Sequence, residues 1–289
     1  MEVWIQQLVN GLSSGMAYAL VALGLTLIFG VLHVINFAHG EFYLVGALGL
    51  VIFSDVLGVP YVFALLGGTL GAAALGWVVD RVAVRGPLNE RGDYSTVLLS
   101  TYAVSLLIFQ SVIWFWGTSP RRIDGVVGAV EIGFITITYN RAVVLMAGIL
   151  LLAAIEWVVR TRAFGRELRA VAQDAFAAKV VGIDVKAIRS NTFIMSTAIA
   201  GFAGALLTPI TLFSPLMGQA VLIKAFVVVV IGGMGNISGA VICGLLLGVM
   251  EALLGRLLTP GLALALIYAL LLVALLVRPQ GIFGAKASR

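Results

Sequence analysis

The stretch "GLSSGMAYALVALGLTLIFGVLHVINFAHGEFYLVGA", Gly11–Ala47, decides the fold. The apolar run that contains its first part extends from about residue 5 to 32. A bilayer hydrocarbon core asks for roughly 20 apolar residues per helix, so this run is long enough to cross. The run then breaks at "VINFAHGEF", Val34–Phe42, and an apolar segment resumes near residue 41. Asn36, His39 and Glu41, with His33 just upstream, are costly within membrane-grade sequence. Two readings account for them. One is a capped turn between two helices; the other is a broken helix that lines a route for a polar solute.

The rest of the chain bears out the membrane reading. Its 289 residues are 61% hydrophobic and 11% charged, with a mean hydropathy of +1.12. Soluble domains carry about 25% charged residues, which excludes that class. A membrane β-barrel would show alternating segments of about ten residues. Long continuous runs point instead to an all-α, polytopic helical bundle, one domain over residues 1–289. The 34 Gly against 7 Pro fit helices that approach closely. The N-terminus "MEVWIQQLVNG" lacks the basic region of a cleavable leader. Cys243, the single cysteine, excludes an intrachain disulfide and reads as a small buried hydrophobe. The net charge of +5 gathers in linkers, which argues against a nucleic-acid surface.

Apolar runs place crossings near 5–32, 41–58, 61–80, 94–116, 141–160, 191–213, 221–235, 237–257 and 262–277, so eight to nine segments, some broken or re-entrant. "GGMGNISGA" between the seventh and eighth reads as a tight turn or a break inside the membrane. The linker from Arg160 to Ser190 carries Arg160, Arg162, Arg166, Arg169, Lys179, Lys186 and Arg189, and the positive-inside rule places it in the cytoplasm. Arg81, Arg85 and Arg91, and the tail with Arg278, Lys286 and Arg289, belong to the same side. These anchors agree with an N-terminus outside and a C-terminus inside. The segment 117–140 then lies outside despite Arg121 and Arg122. Its polar and β-branched alternation suits a small folded cap.

Within residues 160–190, Arg166, Arg169, Ala170, Gln173, Ala177 and Val180 recur at helical spacing. Gly182 is placed to stop that helix and Asp184 to cap the next. An amphipathic helix there either lies on the membrane surface or docks a soluble partner. In the break, Asn36 is placed as an N-cap and Glu41 in the first turns, where a helix dipole favours negative charge. "VVIGGMGNISGAVICGLLLG", Val229–Gly248, looks like a counterpart, with Gly233, Gly235, Asn236 and Ser238 at its break. Helix packing through Gly235-x-x-x-Gly239 and Gly244-x-x-x-Gly248 is the competing explanation. Lys224, Glu251, Arg256 and Asp55 read as separate charges near segment ends.

Catalytic patterns are missing from the sequence. No G-x-x-x-x-G-K-[ST] supports ATP hydrolysis and no H-E-x-x-H supports a zinc site. The two histidines, six residues apart, do not share a helix face, and no metal site is expected. A proton- or sodium-coupled carrier would place acids at mid-membrane, whereas Glu41, Glu251 and Asp55 read as near segment ends.

Four stretches in order carry a resemblance to a family. They are the opening stretch, "GRELRAVAQDAFAAKVVGIDV", "KAFVVVVIGGMGNISGAVICGLLLG" and "RPQGIFG". Together they resemble the LivH-type permeases of branched-chain amino-acid ABC importers over nearly the whole chain. One departure is "RGPLNER" (Arg85–Arg91), where that family often has Tyr-Arg-Pro-Leu-Arg. The resemblance implies a permease that carries branched-chain or related amino acids inward by alternating access. Urea or short amides are the alternative cargo, and a stand-alone secondary transporter or channel the alternative class. It implies a second related permease, two cytoplasmic ATPases that hold ATP and Mg, and an extracytoplasmic binding protein, in a bacterial or archaeal cytoplasmic (inner) membrane. No cofactor is expected on this chain. The ATPase-docking residues would be Arg166, Arg169, Gln173, Asp174, Gly182 and Asp184. The substrate route would draw on Asn36, His39, Glu41, Gly233, Gly235, Asn236 and Ser238.

Overall fold

The structure, a computed structural model, describes residues 2–87, 94–132, 135–278 and 281–284. Arg91, Lys286 and Arg289, used above to orient the chain, lie outside the described residues. Eleven α-helices are described: α1 (Glu2–Leu32), α2 (His39–Val51), α3 (Tyr61–Val79), α4 (Tyr94–Trp116), α5 (Tyr139–Thr161), α6 (Ala163–Gln173), α7 (Ala175–Val180), α8 (Val185–Leu207), α9 (Met217–Gly232), α10 (Ile237–Leu257) and α11 (Pro260–Val277). α2 continues as a π-helical turn over Ile52–Val56, and α3 as another over Asp80–Arg85. Seven helical stretches are long and apolar enough to cross a membrane; α9 and the Gly261–Ala274 stretch of α11 are apolar but shorter.

The hydropathy runs thus coincide with helices, and α1 is the centre of the bundle. Every residue from Gly15 to Ile28 is buried, as a helix apolar on all sides requires. At about 1.5 Å per residue its 31 residues span ~46 Å, more than the ~30 Å hydrocarbon core. α10, α8, α9 and α5 pack around it, while α2, α3 and α8 form a second tight group. Small residues set the spacing: a Cβ on Gly15 would sit 2.8 Å from the Leu245 carbonyl oxygen, and one on Gly244 2.5 Å from Ala19 Cα. Gly244 and Gly248 therefore serve helix contact, as the spacing allowed.

Two features mark the ends of α1. Strands β1 (Ala129–Ile132) and β2 (Ile135–Thr138) form an antiparallel hairpin within the 117–140 segment. The hairpin is tied to the start of α1, where Gln6 Nε2 donates to the Thr136 carbonyl at 2.9 Å and Thr136 N–H donates back to Gln6 Oε1 at 3.1 Å. The linker helices α6 and α7 lie toward the other end, where Phe29 and His33 share a groove with Leu168 and Arg169. Asp80 is anchored by the start of α8, accepting from Ser190 Oγ at 2.5 Å and from Arg85 Nε at 2.7 Å. Arg81 over Trp77 (3.8 Å) and Arg162 over Trp157 (4.2 Å) supply the aromatic and basic pairs typical of a bilayer edge.

Candidate functional site

The route residues singled out in the sequence fall into two places that share no hydrogen bond among the described residues. The first is the break after α1. His33 closes α1 with its N–H on the Phe29 carbonyl (2.9 Å) and a φ of 55°. It is exposed, whereas Asn36, His39 and Glu41 are 2%, 0% and 1% exposed. Asn36 does not cap α2, which corrects the expectation. The cap position is Ala38, without a side-chain bond, and Asn36 Oδ1 accepts from Ala38 N at 3.0 Å. The chain needs two more residues to turn inward, so the asparagine stabilises that turn instead. His39 Nε2 donates to the Val21 carbonyl at 3.0 Å, halfway along α1. Glu41 Oε1 accepts from Ser105 Oγ at 3.2 Å. Its first-turn position in α2 matches the expectation.

This cluster is only partly satisfied. Asn36 Nδ2, His39 Nδ1 and Glu41 Oε2 have no hydrogen-bond partner among the described residues. Glu41 Oε2 lies beside Gly218, in the first turn of α9: a Cβ there would stand 3.2 Å from it. Phe37, beside Asn36 in the chain, has its ring 6.0 Å from those of both Tyr102 and Phe226 and its N–H 3.4 Å from Thr101 Oγ1. Ser105 and Thr101 were missed in the sequence because they sit 64 residues away on an unremarkable apolar helix.

The second place is a groove of about 740 Å³. It joins Gly235, Asn236 and Ser238 from the second break to Arg169 and Gln173 from the linker, with His33 from the end of α1. Expected route residues and expected docking residues therefore meet. Asn236 is a true N-cap here: Oδ1 accepts from Gly239 N at 2.9 Å. Its Nδ2 donates to the Phe283 carbonyl at 2.7 Å, and Ile282 N–H donates to the Ile231 carbonyl at 2.7 Å. The C-terminal segment is thus pinned on the Gly-rich break. Gly233 (φ 93°) makes room for it, since a Cβ there would lie 2.7 Å from Gly284 N.

The linker differs from the single helix read in the sequence. Asp174 takes an extended conformation (φ −154°) and splits it, capping α7 by accepting from Phe176 N (2.8 Å) and Ala177 N (3.0 Å). Asp184 caps α8 by accepting from Ala187 N at 3.0 Å, and Gly182 follows α7 at φ 90°, both as the sequence suggested. Arg166 Nη1 donates to the Thr161 carbonyl, and Arg169 Nη1 to the Val159 carbonyl. Phe176, Val180 and Val181 are 79%, 71% and 76% exposed. Of these apolar side chains outside any crossing, periodicity includes Val180, whereas Phe176 and Val181 are not singled out in the sequence.

Of the other charges, Asp55 and Arg256 are exposed, whereas Lys224 and Glu251 find each other. Lys224 Nζ lies 2.6 Å from Glu251 Oε1 and donates to Tyr18 OH at 2.8 Å, joining α9, α10 and α1. They form one partly buried pair, 15% and 29% exposed at their side chains, rather than standing separately.

Residues 7–275 match the family described as the branched-chain amino acid transport system permease component. The chain is 34% identical to the high-affinity branched-chain amino acid transport system permease protein LivH of Escherichia coli K12, covering 97% of this chain and 96% of that one. It is 25% identical to LivM of the same organism, covering 92% of this chain and 68% of that protein. PsaBC from Streptococcus pneumoniae, solved in complex with Fab, is similar in fold, with a TM-score of 0.51 at 13% identity over 94% of this chain and 91% of that one. LivH and LivM are transport permeases by description, and a multi-pass helical bundle with this match over nearly its whole length belongs to the branched-chain amino acid transport permease family.

Proposed function

We propose that this chain is the membrane-spanning permease subunit of an ATP-driven importer that carries branched-chain or related amino acids into the cell by alternating access. The observation that carries the reading is the family match over residues 7–275. The similarity to both LivH and LivM supports a pair of related permeases. Two cytoplasmic ATPases, which would hold ATP and Mg, and an extracytoplasmic binding protein complete the machine in a bacterial or archaeal cytoplasmic membrane. The N-terminus lies outside and the C-terminus inside.

In this reading the exposed apolar turn of Phe176, Val180 and Val181 seats an ATPase. Arg166, Arg169, Gln173, Asp174, Gly182 and Asp184 build and hold that turn rather than forming the contact alone. ATP-driven closure of the partners changes the relative stability of outward and inward forms, and the linker transmits it. The two route segments are Asn36–Glu41 and Gly233–Ser238. The first presents partly unpartnered polar atoms in the bundle, and the second is a Gly-rich break at its end.

Reconstitution tests the reading. Proteoliposomes with both permeases, the ATPases and the binding protein are expected to take up leucine only with ATP. Ion-driven uptake by this chain alone would overturn the importer assignment. A cognate binding protein that holds urea and not leucine would overturn the cargo.

A further inference from the structure

The groove at the end of α1 does not stop at its polar rim. It shares Glu156, Ile237 and Ser238 with a second cavity of about 420 Å³ that runs along α1, α5 and α10. Met16, Leu23, Ile149, Leu152, Ile242 and Leu245 line that slot, all apolar and all on membrane-crossing helices. The connected space therefore changes character along its length. One end carries Arg160 and Arg169 beside Gln173 and Asn236. The other end is hydrocarbon-like and opens between helices where a bilayer would lie.

Charge and position both select an occupant. The Arg160 side chain is 72% exposed, and its Nε contacts Glu156 Oε1 at 2.5 Å, an ion pair that does not use its two terminal nitrogens. Arg169 spends one terminal nitrogen on the Val159 carbonyl and keeps its remaining donors. Arginine forks suit phosphate oxygens, and a basic cleft between membrane helices at the bilayer edge suits an anionic headgroup. The Arg162–Trp157 pair stands at the same end of α5 and marks that edge. Apart from Glu156 and Ser238 at its groove end the slot is lined by apolar side chains, which suits an acyl chain continuing from a headgroup at the groove.

We propose that these connected cavities bind one anionic phospholipid, with its phosphate at Arg160 and Arg169 and one acyl chain in the slot between α1, α5 and α10. The lipid would lie against Ser238 and the start of α10, next to the break that the C-terminal segment pins. The inference rests on the membrane architecture and not on the identity of the cargo.

The test titrates the purified permease complex in neutral detergent with dioleoyl-phosphatidylglycerol, dioleoyl-phosphatidylcholine and glycerol phosphate, read by native mass spectrometry. Phosphatidylglycerol is expected to bind one site at least tenfold tighter than phosphatidylcholine, with glycerol phosphate not retained. Arg160→Gln and Arg169→Gln are each expected to weaken phosphatidylglycerol at least fivefold. Ile242→Trp, which fills the slot and leaves both arginines, is expected to weaken it as much. Equal binding of the two lipids, or an unchanged Ile242→Trp variant, would reduce the site to ordinary boundary lipid and overturn the proposal. Retention of glycerol phosphate as tightly as the lipid would make it a soluble-anion site instead. If Arg169→Gln fails to assemble, Arg160→Gln and Ile242→Trp still decide the outcome.

Discussion

Asn236 performs two tasks with two atoms, and they can be separated. Oδ1 caps α10, while Nδ2 holds the Phe283 carbonyl. Asn236→Asp keeps an acceptor for the cap and loses the donor; Asn236→Ala loses both. Removing an N-cap costs about 1 kcal/mol, and a lost neutral hydrogen bond a similar amount. Thermal unfolding in detergent should therefore rank wild type above Asp and Asp above Ala. Equal melting of the Asp and Ala variants would show that the cap contributes nothing. The Lys224–Glu251 pair invites a different measurement. Lys224→Ala leaves a carboxylate without its partner and Glu251→Ala an ammonium without its own, so the double variant should lose less stability than the two single losses added together. A coupling energy of about 1–3 kcal/mol is expected from a double-mutant cycle for contacting charges. Additive losses would mean that the pair is solvated rather than structural.

At the scale of elements, helix existence was readable because apolar runs of crossing length admit one answer in a bilayer. Local punctuation was readable where it acts on its nearest neighbours: Gly182 ends α7 and Asp184 starts α8. It failed at Asn36 and at Asp174, where the same residue types offer either a turn, a cap or a helix interior, and only the path of the chain decides. Pairings such as Lys224 with Glu251, or Glu41 with Ser105, depend on which helices become neighbours. No local pattern carries that information. Two elements yield sharp expectations. Gly248→Leu forces a side chain into the backbone of α1 at Gly15 and should destabilise the bundle by roughly 1–3 kcal/mol or prevent its assembly. Phe176→Ala removes a side chain that touches little in this chain. Its stability should stay within about 0.5 kcal/mol of wild type, while ATP-driven uptake falls at least tenfold if the turn seats an ATPase. Normal uptake would assign the docking contact elsewhere.

For the whole molecule, the hairpin and the α6–α7 linker lie toward opposite ends of α1. The positive-inside rule then chooses which end is cytoplasmic, since the linker concentrates the arginines. Val127, 87% exposed beside the hairpin, and Val181, 76% exposed beside α7, report the two faces. Along the chain from residue 127 to residue 181, α5 is the one long apolar helix among the described residues. Cys243 is buried and can be replaced by Ser to give a background without thiols. In that background, a maleimide that cannot pass the membrane should label Val127→Cys in intact cells and reach Val181→Cys only after permeabilisation. The reverse pattern would invert the orientation and place the arginine-rich linker outside, where no ATPase could reach Phe176. Labelling of both from one side would mean that α5 does not cross. Because both residues are exposed in this chain, and Val181 stays uncovered when the chain is expressed without the ATPases, their substitution removes little packing and the labelling in that strain reads topology rather than damage to the fold.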